Sequence, residues 1–481
     1  MTRSLRLTGI TVLILFLSLF ASTSVIQVVA AESLAGDNRN VRNLYQSFSA
    51  ERGQILAGDV AVATSIPVDT EFRYLRTYPY EELYAPIHGY YTLNQGNAGL
   101  ESAMNQLLTG RANSQFFERI QGLVTGRAPQ GARVLTSIDP VLQRVAFDAL
   151  GDRQGAVIAL EPSTGRILAM VSSPTYNPNG LAQHQTSAVL EYYRELEADS
   201  TRPLSNRAIA GDQYFPGSVF KLLMIAAALD SGRYTATSEF PNPPELRLPL
   251  SSSIVTNSGG VLCGAGETVT LEEALIRSCN IPFAELGLEL GEGAIGSMAD
   301  DFGFGATLEI PLRVTPSRYP RGMDQAQLML SSFGQFDVRV TPLQVAMMSA
   351  AIANGGVLMT PTLVDQVLSP DLRILEQTRP REYSTPLSPA DAAELSRMMV
   401  ASVSRGVANQ ASIPGVAVAG KTGTAETGIR DGRSFWFTGF APADNPQIVV
   451  AVVVEGDSSQ GTANRVAAPI ARAILEAGVN R

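Results

Sequence analysis

Phe215-Pro216-Gly217-Ser218-Val219-Phe220-Lys221 leads into an apolar helix that runs to about Leu229. Ser218 and Lys221 stand three residues apart at the helix start, which places both on one face. Of the 36 basic residues only two are lysine, and these are Lys221 and Lys421. Arginine keeps its charge at any accessible pH, whereas a desolvated ammonium can lose its proton and act as a base. A serine hydroxyl becomes a good nucleophile only when a neighbouring base accepts its proton. Histidine is the usual base, but the chain has only His88 and His184, neither in a recognisable hydrolase setting. A Ser-His-Asp arrangement is therefore poorly supported. Lysine remains as the base. A lone Ser-x-x-Lys is also what a capping serine followed by a surface lysine looks like; the apolar residues around Lys221 count against that reading.

Two further short motifs gain meaning beside the first. Ser278-Cys279-Asn280 follows a helix over Leu271 to Arg277. By itself it reads as loop residues satisfying backbone groups. Next to Ser218 and Lys221 it offers a second hydroxyl for proton relay and an amide to dock a peptide. Lys421-Thr422-Gly423-Thr424 lies in a strand pattern led by Val416-Ala417-Val418. A lysine on an exposed edge strand commonly blocks aggregation. A glycine in a strand instead admits a close backbone, expected here to be a peptide substrate adding as a further strand. Thr422, Thr424 and the Lys421 charge then form a carboxylate site.

Bulk properties narrow the class. The formal net charge of -9 and the lack of a basic run argue against nucleic acid as a partner. Arg3 and Arg6 flank an apolar run from Leu7 to Ala31. About 20 apolar residues cross a bilayer, so residues 7–31 are expected to be a transmembrane anchor. Residues 1–6 then face the cytoplasm and everything after Glu32 lies outside. Val29-Ala30-Ala31 would also serve as a cleavage site, which leaves a signal peptide as the alternative. The only cysteines, Cys263 and Cys279, are expected to pair in an oxidising compartment. Two buried free thiols are the other reading. No cofactor is expected, and no metal, because the cysteines and histidines lack ligand spacing.

Residues 32–133 read as a small mixed module. A strand-like stretch runs from Arg52 to Ala63, and helical periodicity runs from Glu101 to Leu123, broken near Gly110. From residue 134 the order is strand, helix, hairpin, many helices, then a hairpin, strand and helix. Asp139-Pro140 caps the first of these helices. The hairpin pairs Ala156–Leu160 with Arg166–Val171, and the closing strands are Val416–Thr424, Ser434–Ala441 and Gln447–Glu455. Such an order suits an α/β (α+β) fold: an antiparallel sheet made from both chain ends around a helical body.

These three motifs, in this order, resemble those of penicillin-binding proteins. The likeness extends through Thr136 to Gln143, Leu160 to Met170, Asn206-Arg207-Ala208-Ile209, Phe215-Pro216-Gly217, Gly334-Gln335, Thr341 to Gln344, Asn354-Gly355-Gly356 and Trp436 to Pro442. Arg52-Gly53 and Gly99-Leu100-Glu101 resemble the N-terminal module of the monofunctional class B members, nearest to a short, single-pass form. In one departure, Arg52-Gly53-Gln54-Ile55 is not followed by the usual Asp-Arg-Asn-Gly. The resemblance implies a penicillin-binding protein/serine β-lactamase-like transpeptidase domain over residues 134–481, with a five-stranded antiparallel sheet. Residues 32–133 would be a pedestal or interaction module, with septal wall-synthesis proteins as partners.

The resemblance also implies roles. Ser218 would be acylated by the D-Ala-D-Ala end of a peptidoglycan stem peptide, and Lys221 would be its base. Ser278 would pass the proton to the departing D-alanine, Asn280 would hold the substrate backbone, and Lys421 would orient Ser278. Thr422, Gly423 and Thr424 would bind the terminal carboxylate strand. The backbone N–H groups of Ser218 and Thr424 would form the oxyanion hole, worth about 3 kcal/mol per donor. Penicillin and other β-lactams would stall the enzyme at the acyl stage. A D,D-carboxypeptidase would use the same residues with water as acceptor. A serine β-lactamase would need a positioned carboxylate to drive hydrolysis, and no motif supplies one. A non-catalytic scaffold would not need three intact motifs, and a β-lactam sensor would need a cytoplasmic effector, whereas only about six residues precede the anchor.

Overall fold

A computed structural model of the chain describes residues 2–30, 48, 50–115, 130–211, 213–257, 260–308, 310–428 and 431–480. Ala31, at the end of the apolar run, and the part of the Glu101–Leu123 stretch beyond residue 115 lie outside them. Helix α1 (Thr2–Ser24) continues through one wide turn (Val25–Val29), and the span Arg3–Val29 is long and apolar enough to cross a membrane.

The expected strand from Arg52 to Ala63 is a hairpin, β1 (Ile55–Ala57) and β2 (Val60–Pro67), followed by β3 (Tyr74–Thr77). Its turn falls at Gly58, where φ is +54°. The helical periodicity yields two short helices, α2 (Gly99–Ala103) and Asn105–Leu108, ahead of Gly110. Strand β4 (Arg133–Thr136) then pairs parallel with β1. In helix α3 (Pro140–Leu150), Asp139 Oδ1 accepts from Val141 N at 2.9 Å and Leu142 N at 3.1 Å, the capping expected from its sequence. The β5 (Gly155–Leu160) and β6 (Ile167–Ser173) hairpin and the polar helix α4 (Thr186–Ala198) follow.

The helical body begins with α5 (Lys221–Asp230), entered through a tight turn at Gly217–Phe220. Every residue from Lys221 to Leu229 is buried, as a helix that is apolar all round requires. A small hairpin, β7 (Glu245–Arg247) and β8 (Ile254–Thr256), precedes α6 (Leu271–Arg277) and α7 (Ile281–Asp301), the latter broken at Gly291. Helix α8 (Pro342–Ala353) is capped by Thr341, whose hydroxyl accepts from Gln344 N at 3.2 Å. Strands β9 (Val364–Leu368) and β10 (Ile374–Gln377) come next, then α9 (Pro389–Ser404). Strands β11 (Ala419–Glu426), β12 (Gly432–Ala441) and β13 (Ile448–Asp457) and helix α10 (Ala468–Val479) close the chain.

The central sheet is five-stranded, in the order β11-β12-β13-β5-β6, and antiparallel throughout. Both of its faces are covered. Val449, Ala451 and Val453 pack into the core shared with α5 and α8, while Val450, Val452 and Val454 pack against α3 and α10. This explains why β13 reads as an unbroken apolar run instead of an alternating one. Strand β11 is left as an edge.

The second sheet has six strands, β10-β9-β4-β1-β2-β3. Strands β9 and β10, over 200 residues beyond β4 in sequence, return to extend the sheet of the N-terminal module. The two sides of the boundary expected at residue 134 thus share one hydrogen-bonded layer. On this module Glu101, fully buried, bridges Arg52 at 2.5 Å and Arg76 at 2.6 Å. Burial alone would raise the Glu101 pKa; the two guanidiniums outweigh it and hold the carboxyl below its ordinary value. The folded pKa lies below the unfolded one, so the stabilisation is complete above the ordinary glutamate range. It is lost as pH falls through the depressed value. Replacing Glu101 by Gln leaves two buried guanidiniums without a counter-charge. We expect Glu101→Gln to cost about 3 kcal/mol, read as a lower melting temperature and faster proteolysis of residues 50–115; an unchanged melting curve would contradict the role assigned to this triad.

Candidate active site

Residue Ser218 sits in the Gly217–Phe220 turn, and two contacts fix the chain just before it. Gly217 N donates to Gly334 O at 2.9 Å, and Trp436 Nε1 donates to Phe215 O at 3.0 Å. The turn is wedged between β11 and the Gly334 loop with no room for side chains. A Cβ on Gly334, where φ is +77°, would lie 2.1 Å from Gly217 O. A Cβ on Gly423 would lie 3.0 Å from both Pro216 O and Val219 N. The sequence reading assigned the space at Gly423 to a substrate backbone. The structure corrects this: the backbone that fills it is the chain's own nucleophile turn.

Lys221 and Lys421 are both fully buried. Lys221 Nζ donates to Ser278 O at 2.9 Å, Cys279 O at 2.6 Å and Asn280 Oδ1 at 2.9 Å. The Ser218 hydroxyl is not among these partners in this resting arrangement; catalytic contacts of this kind commonly tighten only with substrate bound. Lys421 Nζ donates to Ser278 Oγ at 2.7 Å and to Thr422 O at 2.8 Å. Both lysines therefore hold one short turn, from opposite sides of the sequence.

That turn is held in an unusual conformation. Ser278 ends α6 with φ 61° and ψ 37°, a left-handed geometry that non-glycine residues seldom adopt. It directs the Ser278 hydroxyl to one lysine and the Ser278 carbonyl to the other. A disulfide joins Cys279, the middle residue of the turn, to Cys263, with Cα atoms 5.8 Å apart. The pairing expected from sequence is thus present.

Two dry ammonium groups in one site are costly. Burial, then the Lys421 charge, push Lys221 well below the ordinary lysine value. Burial brings Lys421 down to about 7. The three acceptors on Lys221 act in the other direction, favouring the ammonium. The balance leaves a coupled pair from which one proton is readily lost.

Ser218, Ser278, Asn280, Thr422, Gly423 and Thr424 line one cleft of about 780 Å³. Its remaining wall includes Ile254, Asn257, Leu330, Phe333 and Phe336. Sequence reasoning missed this wall, because no motif marks it; the positive φ of 59° at Phe336 has no sequence signature either. His88 and His184 do not line the cleft. A nucleophilic alcohol, a depressible amine, a second hydroxyl and a free strand edge together can carry out acyl transfer on an extended peptide.

Comparison with known proteins agrees with this chemistry. Residues 155–476 match the penicillin binding protein transpeptidase domain, and residues 52–134 match the penicillin binding protein A dimerisation domain. The peptidoglycan D,D-transpeptidase PbpA of Mycolicibacterium smegmatis is 43% identical, covering 100% of this chain and 99% of the relative. PbpA of Mycobacterium tuberculosis is 41% identical over the same shares. The structure of penicillin-binding protein A from M. tuberculosis as a ceftriaxone acyl-enzyme complex superposes with a TM-score of 0.87. It is 41% identical and covers 90% of this chain and 100% of that one. The penicillin G acyl-enzyme complex of the same protein gives 0.86, at 41% identity, covering 89% of this chain and 100% of that one. With matches of this extent on both its catalytic and its N-terminal part, the chain belongs to the penicillin-binding protein transpeptidase family.

Proposed function

We propose that this protein is a peptidoglycan D,D-transpeptidase of class B that cross-links stem peptides through a serine acyl-enzyme. One observation carries the reading. Lys221 and Lys421, 57 and 143 residues from Ser278 in sequence, converge on its turn. Lys221 in its amine form takes the Ser218 proton as the hydroxyl attacks the carbonyl of the penultimate D-alanine. The backbone N–H groups of Ser218 and Thr424 stabilise the oxyanion. Ser278, oriented by Lys421, relays that proton from the Lys221 ammonium to the amine of the leaving D-alanine, which returns Lys221 to its amine form. Asn280 steadies the substrate backbone, and Thr422 and Thr424 receive its terminal carboxylate as it lies along the edge of β11. An amine of a neighbouring stem peptide then attacks the acyl-enzyme. β-Lactams acylate the same serine and stay. The M. tuberculosis relative, captured as acyl-enzymes with ceftriaxone and with penicillin G, supports this account.

Helix α1 would anchor the protein in the cell membrane by a single pass, with residues 32–133 as a pedestal and 134–481 as the catalytic domain outside the cytoplasm. Septal wall-synthesis proteins are the partners proposed for the pedestal.

Four outcomes test this. Ser218→Ala is expected to abolish covalent labelling by a fluorescent penicillin. Lys221→Arg keeps the charge but removes the base, and is expected to abolish it as well; labelling at an undiminished rate would refute the base role. Because the base must be neutral, acylation should rise with pH on a limb far below the 10.5 of an ordinary lysine. A limb near that value would mean that neither lysine is perturbed. Gly334→Ala forces a side chain into Gly217 O and should displace the nucleophile enough to slow acylation by about 10²-fold, as followed by intact mass.

A further inference from the structure

Helix α6 ends immediately before Ser278, and its last carbonyls have no partner inside the helix. Ala274 O and Leu275 O are met by the turn itself, from Cys279 N at 2.9 Å and Ser278 N at 3.1 Å. Ile276 O is met from outside: Val407 N donates to it at 3.1 Å. The segment that brings Val407 there is the exit from α9. Arg405 holds this segment against α6, with its guanidinium 2.9 Å from Glu273 and 3.4 Å from Glu272. Gly406 lies between, and a Cβ on it would stand 2.5 Å from Ile276 O and 2.7 Å from Ser402 O. Its φ is outside the left-handed range, so crowding alone excludes a side chain.

Helix α9 packs on the two elements that carry the Lys421–Ser278 hydrogen bond. On the strand side, Val403 covers Gly420, the neighbour of Lys421: a Cβ on Gly420 would lie 3.2 Å from Val403 Cγ2. On the helix side, Gly406 and Val407 rest on Ile276, two residues before Ser278. The stretch from Val403 to Val407 thus spans the gap across which Lys421 Nζ reaches Ser278 Oγ at 2.7 Å. Exposed ion pairs such as those of Arg405 contribute little by themselves. The backbone contact at Gly406 sets the distance, and the ion pairs keep it closed.

We infer that Gly406 is a positioning residue for the proton relay: with no side chain between α9 and the end of α6, it holds the Ser278 hydroxyl where it can pass a proton to the leaving nitrogen. It acts through Ser278 and not by touching the reacting atoms. The inference rests on the acyl-transfer reading above. Attack by Ser218 on an amide donor forms a C–O bond and breaks a C–N bond, and the departing nitrogen takes its proton from Ser278. A thioester donor breaks a C–S bond instead, and its thiolate departs without a proton. Displacement of Ser278 slows the amide and spares the thioester, whereas a disturbance of Ser218, Lys221 or the oxyanion hole slows both.

The test compares two donors on the full-length protein in detergent. Benzylpenicillin acylation is read by intact mass, and an N-acyl-D-alanine thioester of thioglycolate is read by thiol release. Gly406→Ala drives a Cβ into Ile276 O and shifts the turn. The ratio of the benzylpenicillin rate to the thioester rate is expected to fall about tenfold, a fraction of what a well-placed general acid contributes. Loss of folded protein alone cancels in this ratio. A fall of less than about threefold in Gly406→Ala overturns the assignment. If that variant does not fold, Arg405→Glu decides by the same ratio and limit; it is an exposed change that sets a carboxylate against Glu272 and Glu273. Ser278→Ala is expected to lower the ratio at least as far, and a ratio left unchanged there would refute the relay itself. A wild-type protein that reacts with neither donor would instead overturn the acyl-transfer reading.

Discussion

Two buried lysines grip a single left-handed serine turn, and the catalytic half of the molecule is arranged to make that possible. Lys221 holds the Ser278 and Cys279 carbonyls and the Asn280 amide, and Lys421 holds the Ser278 hydroxyl. Neither cation would be tolerated in a dry interior without such acceptors. The same acceptors fix the lysines in place while burial weakens their hold on protons. Positioning and proton affinity thus come from one set of contacts.

Around this grip the fold supplies stiffness. The sheet is covered on both faces, with α5 and α8 behind one and α3 and α10 behind the other. Only the β11 edge stays open toward the cleft. The nucleophile turn is pressed between that edge and the Gly334 loop, so its position follows from backbone contact instead of side-chain packing. Such contacts have little slack, which suits a serine that must meet a carbonyl within a few tenths of an ångström.

Much of this was legible in the sequence, and the parts that were not share a cause. The Ser218, Ser278 and Lys421 motifs could be read because their chemistry depends on residue type and spacing. The disulfide could be read because only two cysteines exist. The partners of Lys221 could not, since two of the three are backbone oxygens, and every residue has one. The left-handed Ser278 gives no signal, because glycine or asparagine would be the expected marker of that geometry. Strands β9 and β10 escaped notice because register shifts at Val364/Gln366 and Val367/Leu368 break the alternation by which a strand is recognised. Gly423 was rightly seen as admitting a close neighbour, but a sequence cannot say which neighbour arrives.

The shared six-stranded layer has a consequence for how such proteins can be recombined. Because β9 lies directly against β4, which lies against β1, the module is not a bead that can be unthreaded and exchanged by itself. A chimera cut at a single point would place strands of one parent against the lattice of another. Swapping the stalk between homologues would call for two separate grafts, one before residue 137 and one covering residues 364–377, inherited together.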